Sequence, residues 1–176
     1  MYAPWLRILI GTLGLILAYF YYSVGSNLSV ALMLTGVALV VWGYFKNGTI
    51  YLAFRKLKKE DYEGAERSLN QTKYPELLKN GQKGYFHFIK GFIESNRNDY
   101  NKSLNHFREA LKFGLRTDND QAIVRLSIAE IEIERKNYDN AREELKVVKG
   151  LKYKQALESE ILRLETKLID SAERQD

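Results

Sequence analysis

Cysteine is absent from the 176-residue chain, and histidine occurs only twice, at His87 and His106. Without cysteine there is no disulfide framework, no thiolate metal site and no cysteine nucleophile. The two histidines belong to no HExxH-like pair. We therefore predict no metal site and assign both histidines to packing or surface roles.

Motifs that carry enzyme chemistry are also missing. The sequence holds no glycine-rich phosphate loop, no GxSxG elbow and no kinase signature. Its carboxylates follow spacings that are typical of solvated helix faces. The sequence therefore predicts no catalytic residue, no cofactor and no enzyme, and an enzyme with an unrecognised site is the most distant of the functional hypotheses.

Acidic residues are missing from the first 45 positions, where Arg7 is the only charged residue. After Phe45 both signs are interspersed, and the whole chain carries 27 Lys and Arg against 22 Asp and Glu. A chain that binds nucleic acid would cluster its basic residues on one face. We therefore expect no nucleic-acid partner, and two segments of different composition that join near Lys46.

Two apolar runs occupy the N-terminal segment, at about residues 5–24 and 28–45. Each approaches the roughly 20 residues that are needed to cross the hydrocarbon core of a bilayer. The polar link at residues 25–27 is so short that the two runs can only be antiparallel. Residues 1–45 are therefore predicted to form a transmembrane helical hairpin.

Positive charges flank this hairpin and avoid its link. By the positive-inside rule both termini lie in the cytoplasm, and the expected location is a bacterial inner membrane. An alternative is that the first run is a cleaved signal peptide, with residues 23–25 as the cleavage site, and that the second run alone anchors the chain. The basic cluster after the second run is also a candidate contact for lipid headgroups; it comprises Arg55, Lys56, Lys58 and Lys59.

Three later segments are similar to one another at a period of 38 residues, as in the step from Tyr62 to Tyr100 and from Tyr100 to Tyr138. Each Tyr follows an Asp or Asn. Small or large apolar residues recur in the same register at Ala53, Gly91 and Ala129, at Ala65, Ser103 and Ala141, and at Leu69, Phe107 and Leu145. Small side chains let two antiparallel helices cross closely, so each segment is predicted to be a helix–turn–helix unit with the Tyr in its turn.

This pattern resembles the tetratricopeptide repeat family over residues 46–150, most fully in residues 91–111. The family's early Trp and closing Pro do not recur, and the period exceeds the usual length of about 34 by about four residues. The resemblance implies an all-α fold, with two transmembrane helices followed by an α-solenoid of three repeats. Residues 127–134 alternate like a strand, but their apolar positions form two helical stripes and predict a helix.

A C-terminal segment, residues 151–176, follows the third repeat. Its apolar residues recur at helical spacing, with charges between them, at Leu157, Ile161, Leu164 and Leu168. A repeat stack needs a terminal element that covers its open end. We therefore predict a C-terminal capping helix.

In the resembled family, the first helices of successive repeats line a concave groove that binds peptides. Carrying these positions across implies a groove with an aromatic middle and an acidic far side, formed by Phe54, Tyr85, Phe88, Phe92, Glu130 and Glu134. Some family members hold a terminal carboxylate with Lys and Asn, whereas the corresponding residues here are apolar or acidic. The resemblance thus implies a basic or apolar ligand. The alternative is that Phe88 and Phe92 only fill space between helices.

Two functional hypotheses follow from these features. In the first, the chain is an adaptor or assembly factor that holds a protein partner at the lipid bilayer through its groove. In the second, it is a membrane-tethered, chaperone-like factor for nascent or exported chains. An adaptor would form a stoichiometric complex, whereas a chaperone would capture many unfolded chains weakly. No residue pattern favours a particular oligomeric state.

Overall fold

The structure, a computed structural model, describes residues 4–25 and 27–173, with the side chains of residues 11–25, 27–38 and 49–171. Every regular element in these ranges is helical, so the prediction of an all-α chain is confirmed there. The α-helices are α1 (Pro4–Ser23), α2 (Asn27–Leu57), α3 (Tyr62–Asn70), α4 (Asn80–Asn96), α5 (Tyr100–Phe113), α6 (Asp118–Glu134), α7 (Tyr138–Lys149) and α8 (Glu158–Glu173). Short 3₁₀ helices lie at Pro75–Leu77 and Gln155–Leu157.

The chain divides into two compact units, Met1–Tyr51 and Leu52–Asp176. In the first unit the backbone turns at Gly25, whose positive φ of 77° favours glycine. A Cβ added at Gly14 would lie 2.7 Å from Cγ2 of Val37. The missing side chain at Gly14 thus lets α1 and α2 approach closely.

Within the residues that the structure describes, no helix is long and apolar enough to cross a membrane. This finding contradicts the two predicted spans, at 5–24 and 28–45, and with them the predicted location in a bacterial inner membrane with both termini in the cytoplasm. The second run is not an element of its own, because α2 continues through it to Leu57. In α1 the described side chains begin at Gly11 and cover about 20 Å of helix, less than the roughly 30 Å of a hydrocarbon core. Residues 5–10 and 39–45 of the predicted spans lie outside the described side chains.

The repeat prediction is confirmed by the turns between α2 and α3, α4 and α5, and α6 and α7. One residue in each turn is left-handed, and these residues are Glu60, Asn98 and Lys136, with φ of 60°, 60° and 61°. In every turn the next amide donates back to a carbonyl five residues earlier, as from Asp99 N to Glu94 O at 3.0 Å. This is the Schellman geometry that ends helices. The same turn therefore recurs at the 38-residue period.

The residue after each left-handed position caps the following helix. The Asp61 side chain accepts a hydrogen bond from Gly64 N at 2.8 Å, and Asp99 accepts one from Lys102 N at 3.2 Å. Such side-chain caps satisfy amides that have no partner within the helix. Asn137 instead donates from Nδ2 to Glu132 at 2.8 Å. Each predicted turn Tyr is the first residue of its second helix.

Small residues permit close crossing inside each hairpin, as predicted. A Cβ at Gly91 would lie 2.4 Å from Cδ1 of Phe107, so the ring packs on the bare backbone of α4. Ser103 Oγ donates to Gly91 O at 2.9 Å, and the corresponding Ala129 and Ala141 are fully buried in the third repeat. The second and third hairpins therefore share one packing scheme.

Helix α6 contains the strand-like segment 127–134 and confirms the helical interpretation. Both of its apolar stripes are buried, and they comprise Val124, Leu126, Ile128, Ala129, Ile131 and Ile133. Glu132 is only 1% exposed, and its carboxylate accepts from Arg108 of α5 at 2.9 Å. This pair, together with Asn137, satisfies a buried charge between the second and third repeats.

Helix α8 confirms the predicted cap. It packs on the third hairpin through Ile161, Leu164 and Leu168, which join a core that contains Ala129 and Leu145. The helix begins later than the predicted segment, because residues 151–157 form an extended stretch and a 3₁₀ turn.

Candidate partner-binding surface

Four of the predicted groove residues meet in one aromatic cluster, which we define as Phe54, Tyr85, Phe88 and Phe92. The Phe54 ring lies 5.2 Å from that of Tyr85 and 5.5 Å from that of Phe88, both edge to face. Phe88 lies 5.0 Å from Phe92. Such geometries are favourable for aromatic pairs. The cluster joins α2 to α4, the first helices of the first two repeats.

Burial separates the four rings into two roles. Phe88 is 3% exposed and belongs to the core, which agrees with the space-filling alternative for this residue. Phe54, Tyr85 and Phe92 are half-buried and keep part of their rings at the surface. Phe92 also packs on the buried ring of Phe107, at 5.0 Å. Three fixed, partly exposed rings therefore remain available for contact.

Tyr85 is held by an acid that the sequence interpretation missed. Its hydroxyl donates to Asp120 Oδ2 at 2.5 Å, which ties α4 to the first turn of α6. Burial, followed by the bond to Asp120, raises the pKa of Tyr85 to about 12. The phenol therefore stays protonated and keeps its orientation. Asp120 could have been found as an acid in the first turn of a helix, although such residues are common there.

The two predicted acidic groove residues already have partners within the chain. Glu130 accepts from Arg163 of α8 at 2.6 Å, and Glu134 accepts from Lys167 one turn further along α8. Both pairs are largely exposed, so each contributes little to stability. The structure thus brings these carboxylates to the capping helix, and their role in partner binding stays a prediction.

The predicted lipid-contact residues lie in and just after the last turn of α2. Lys56 Nζ donates to Gly64 O at 3.2 Å, and Lys58 Nζ lies 4.8 Å from the centre of the Phe54 ring. Arg55 and Lys59 are exposed. Basic residues at a helix C-terminus interact favourably with its dipole. Lys58 also places a positive charge at the edge of the aromatic cluster.

The two histidines form a pair that the sequence interpretation did not foresee. Nδ1 of His87 on α4 lies 3.0 Å from Nδ1 of His106 on α5, and the His87 ring stacks on Phe113 at 5.6 Å. Burial lowers the pKa of both, and lowers that of His106 to about 4, with the other imidazole and Lys90 acting in the same direction on His106. Two neutral rings can share one proton in an N–H···N bond. No group of three or more metal-binding side chains occurs among the described residues.

The same register holds another polar pair in the third repeat. Arg125 and Glu144 stand 38 residues after the two histidines and form an ion pair of 2.6 Å between α6 and α7. The position is therefore a cross-helix polar contact that changes chemistry between repeats. Aligning the hairpins by their turns would have revealed it, because the pairing depends on which residues face each other across the crossing.

Comparison with known proteins returns no match, neither to a family model nor to a curated protein or a solved structure. The class of the second unit therefore follows from its geometry. It is a helical repeat with identical turns, a shared packing scheme and a terminal cap.

Proposed function

We propose that this chain is a protein-binding helical repeat of tetratricopeptide type, which holds a segment of another protein against the aromatic cluster. The observation that supports the proposal is the set of three half-buried rings, Phe54, Tyr85 and Phe92, on first helices of adjacent repeats. Aromatic side chains that are rigid and partly exposed are typical anchors of protein interfaces.

The ligand that suits this surface carries apolar anchors. Glu130 and Glu134 are paired with α8, so a basic ligand would have to displace Arg163 or Lys167 before it gained their charges. Apolar side chains need no such exchange. The charged groups that border the rings are Lys58 and the Asp120 carboxylate, which would set the orientation of the ligand more than its affinity.

Site-specific photocrosslinking tests this function without removing a packed ring. A benzophenone amino acid is placed at Phe92 in the full chain, and a matched control places it at Leu162, which is exposed on α8. After irradiation in cells, we expect one dominant adduct at position 92 and none at position 162. A ladder of many weak adducts at 92 would favour the chaperone-like hypothesis. Equal adducts at both positions would contradict binding at the cluster.

A further inference from the structure

A second surface lies on the hairpin of α4 and α5, away from the aromatic cluster. We call it the basic aromatic patch, and it comprises Lys83, Phe86, His87, Lys90, His106, Lys112 and Phe113. The His87 ring contacts Phe113 face to face and Phe86 edge to face, both at 5.6 Å. Lys83 Nζ lies 5.5 Å from the centre of the Phe113 ring, and Lys90 Nζ lies 5.2 Å from that of Phe86. The ammonium groups are thus held over the rings.

The charge of this patch has one sign. Within the described part of the chain, neither Lys83 nor Lys90 forms an ion pair, and the nearby carboxylate of Glu109 is bonded to Lys112 at 3.1 Å. The lysines also contribute to the lowered pKa of His87 after burial, which shows that their field reaches the imidazoles. Such a field repels a metal cation and attracts an anionic group.

The patch coincides with a shortened helix. Helix α3 has 9 residues, whereas its counterparts α5 and α7 have 14 and 12. By the 38-residue period, residues 71–75 correspond to the last turn of α5, residues 109–113. The first repeat replaces that turn with a linker, whose 3₁₀ helix packs on α4 while Tyr74 and Leu77 stay 63% and 66% exposed.

The third repeat shows what the missing turn would cover. There α5 packs against α6, and Ile128, the counterpart of Lys90, is 2% exposed. In the second repeat the neighbouring helix is α3, which ends at Asn70, and a lysine occupies the corresponding position. A helix position is therefore open at the patch, and it is bordered by positive charge.

We propose that the basic aromatic patch docks an acidic amphipathic helix of a partner protein, in the position that the last turn of α3 would occupy in a longer repeat. Apolar side chains of the partner helix contact His87 and Phe113. Its carboxylates pair with Lys83, Lys90 and Lys112. Helix-in-groove recognition of this kind uses apolar anchors at helical spacing. The surface shares no residue with the aromatic cluster, so either proposal can fail alone.

Fluorescence anisotropy with a defined probe tests the docking site. The probe is a labelled, lactam-bridged helix of about 14 residues, or about four turns, with Leu at helical spacing and Glu elsewhere. The full chain is compared with Lys83→Glu/Lys90→Glu and with the charge-matched control Lys146→Glu/Lys154→Glu, whose lysines are exposed outside the patch. We expect the patch variant to weaken binding by at least about tenfold and the control by less than about twofold. Circular dichroism checks that all variants stay helical.

A milder variant guards against a folding defect. Lys90→Ile installs the residue of the third repeat and removes one charge, so it should weaken binding about threefold while the melting temperature holds or rises. Equal weakening by the control variant would overturn the proposal, because it would show a general charge effect. Equally tight binding of a leucine-free Glu peptide would also overturn it, as would displacement of the probe by single-stranded RNA of equal charge at lower concentration.

Discussion

The pair of His87 and His106 links residue chemistry to stability. Both pKa values lie below their ordinary value, so between about pH 4 and pH 6.5 the unfolded chain binds protons that the folded chain does not. Stability is therefore complete above about pH 6.5 and is lost as the pH falls towards 4. Around the pair, the lysines oppose protonation and Glu109 favours it; the lysines are Lys83, Lys90 and Lys112.

We expect acidification from about pH 7.5 to pH 5 to lower the free energy of unfolding by about 1 kcal/mol through this pair, after allowing for its partial exposure. Thermal melts of the natural chain are compared with those of His87→Arg/His106→Glu, which installs the ion pair of the third repeat. The variant should lose less stability over this interval. An unchanged loss would show that the pH dependence arises elsewhere.

The Tyr85 hydroxyl supports the aromatic cluster through Asp120. Tyr85→Phe removes this bond and leaves Asp120 half-exposed to water, so we expect a loss of about 1 kcal/mol in the free energy of unfolding. Tyr74→Phe serves as the control, because Tyr74 is exposed, and it should change stability by less than about 0.3 kcal/mol. Urea titration measures both. Equal effects would mean that the bond to Asp120 contributes nothing.

At this scale the sequence predicted which aromatic residues meet but not how each is used. Phe88 and Phe92 are one turn apart on α4, and periodicity places both on related faces. Whether a ring is covered depends on the neighbouring helix, and Phe88 alone is enclosed between Phe54 and Phe92. The pairing of His87 with His106 likewise depends on the crossing of two helices, which periodicity within one helix does not contain.

At the scale of elements, each hairpin turn places one residue in the left-handed region. Lys136 pays for this conformation with steric strain, because its Cβ approaches the following carbonyl. We expect Lys136→Gly to raise the free energy of unfolding by about 0.5–1 kcal/mol. Asn98→Gly should gain less, since Asn tolerates this region better.

The control for this prediction is Lys146→Gly inside α7, which should lower stability by about 1 kcal/mol. Differential scanning calorimetry compares the three variants. A loss of stability in Lys136→Gly would indicate that the lysine side chain itself stabilises the turn.

The shortening of α3 has a readable cause that the period of 38 concealed. Pro75 occupies the position that Phe113 holds at the end of α5. Proline has no amide hydrogen to donate and disfavours helix at the residue before it, here Tyr74. The repeat alignment predicted about four extra residues between units, whereas the structure distributes helix and linker unevenly at constant period.

At the scale of the whole molecule, α8 closes the stack. Leu164 is fully buried in the core of the third repeat, and Leu162 is exposed on the opposite side of α8. Leu164→Ala should therefore cost about 3 kcal/mol in the free energy of unfolding, and Leu162→Ala less than about 0.5 kcal/mol. Chemical denaturation of the two variants gives the difference. Similar costs would mean that α8 does not cap the repeats.

The sequence predicted the repeat and its cap because both depend on local register, which small residues and turn caps record. It misplaced the border of the N-terminal segment for a different reason. Hydropathy marks where apolar residues end, whereas a helix ends where its backbone groups find caps. Helix α2 has no such cap near Lys46 and ends only at the Schellman turn around Glu60.

The recurring turns have a consequence for how this chain could grow. Residues 99–136 begin with a helix-capping Asp and end with a left-handed residue, so a second copy inserted after Lys136 would start with the same cap that Asn137 now provides. Each junction would join ends that already fit one another, and nearest-neighbour packing would extend by one unit. The protein thus contains its own template for a longer solenoid, and tandem duplication of one genetic segment would lengthen it without redesign.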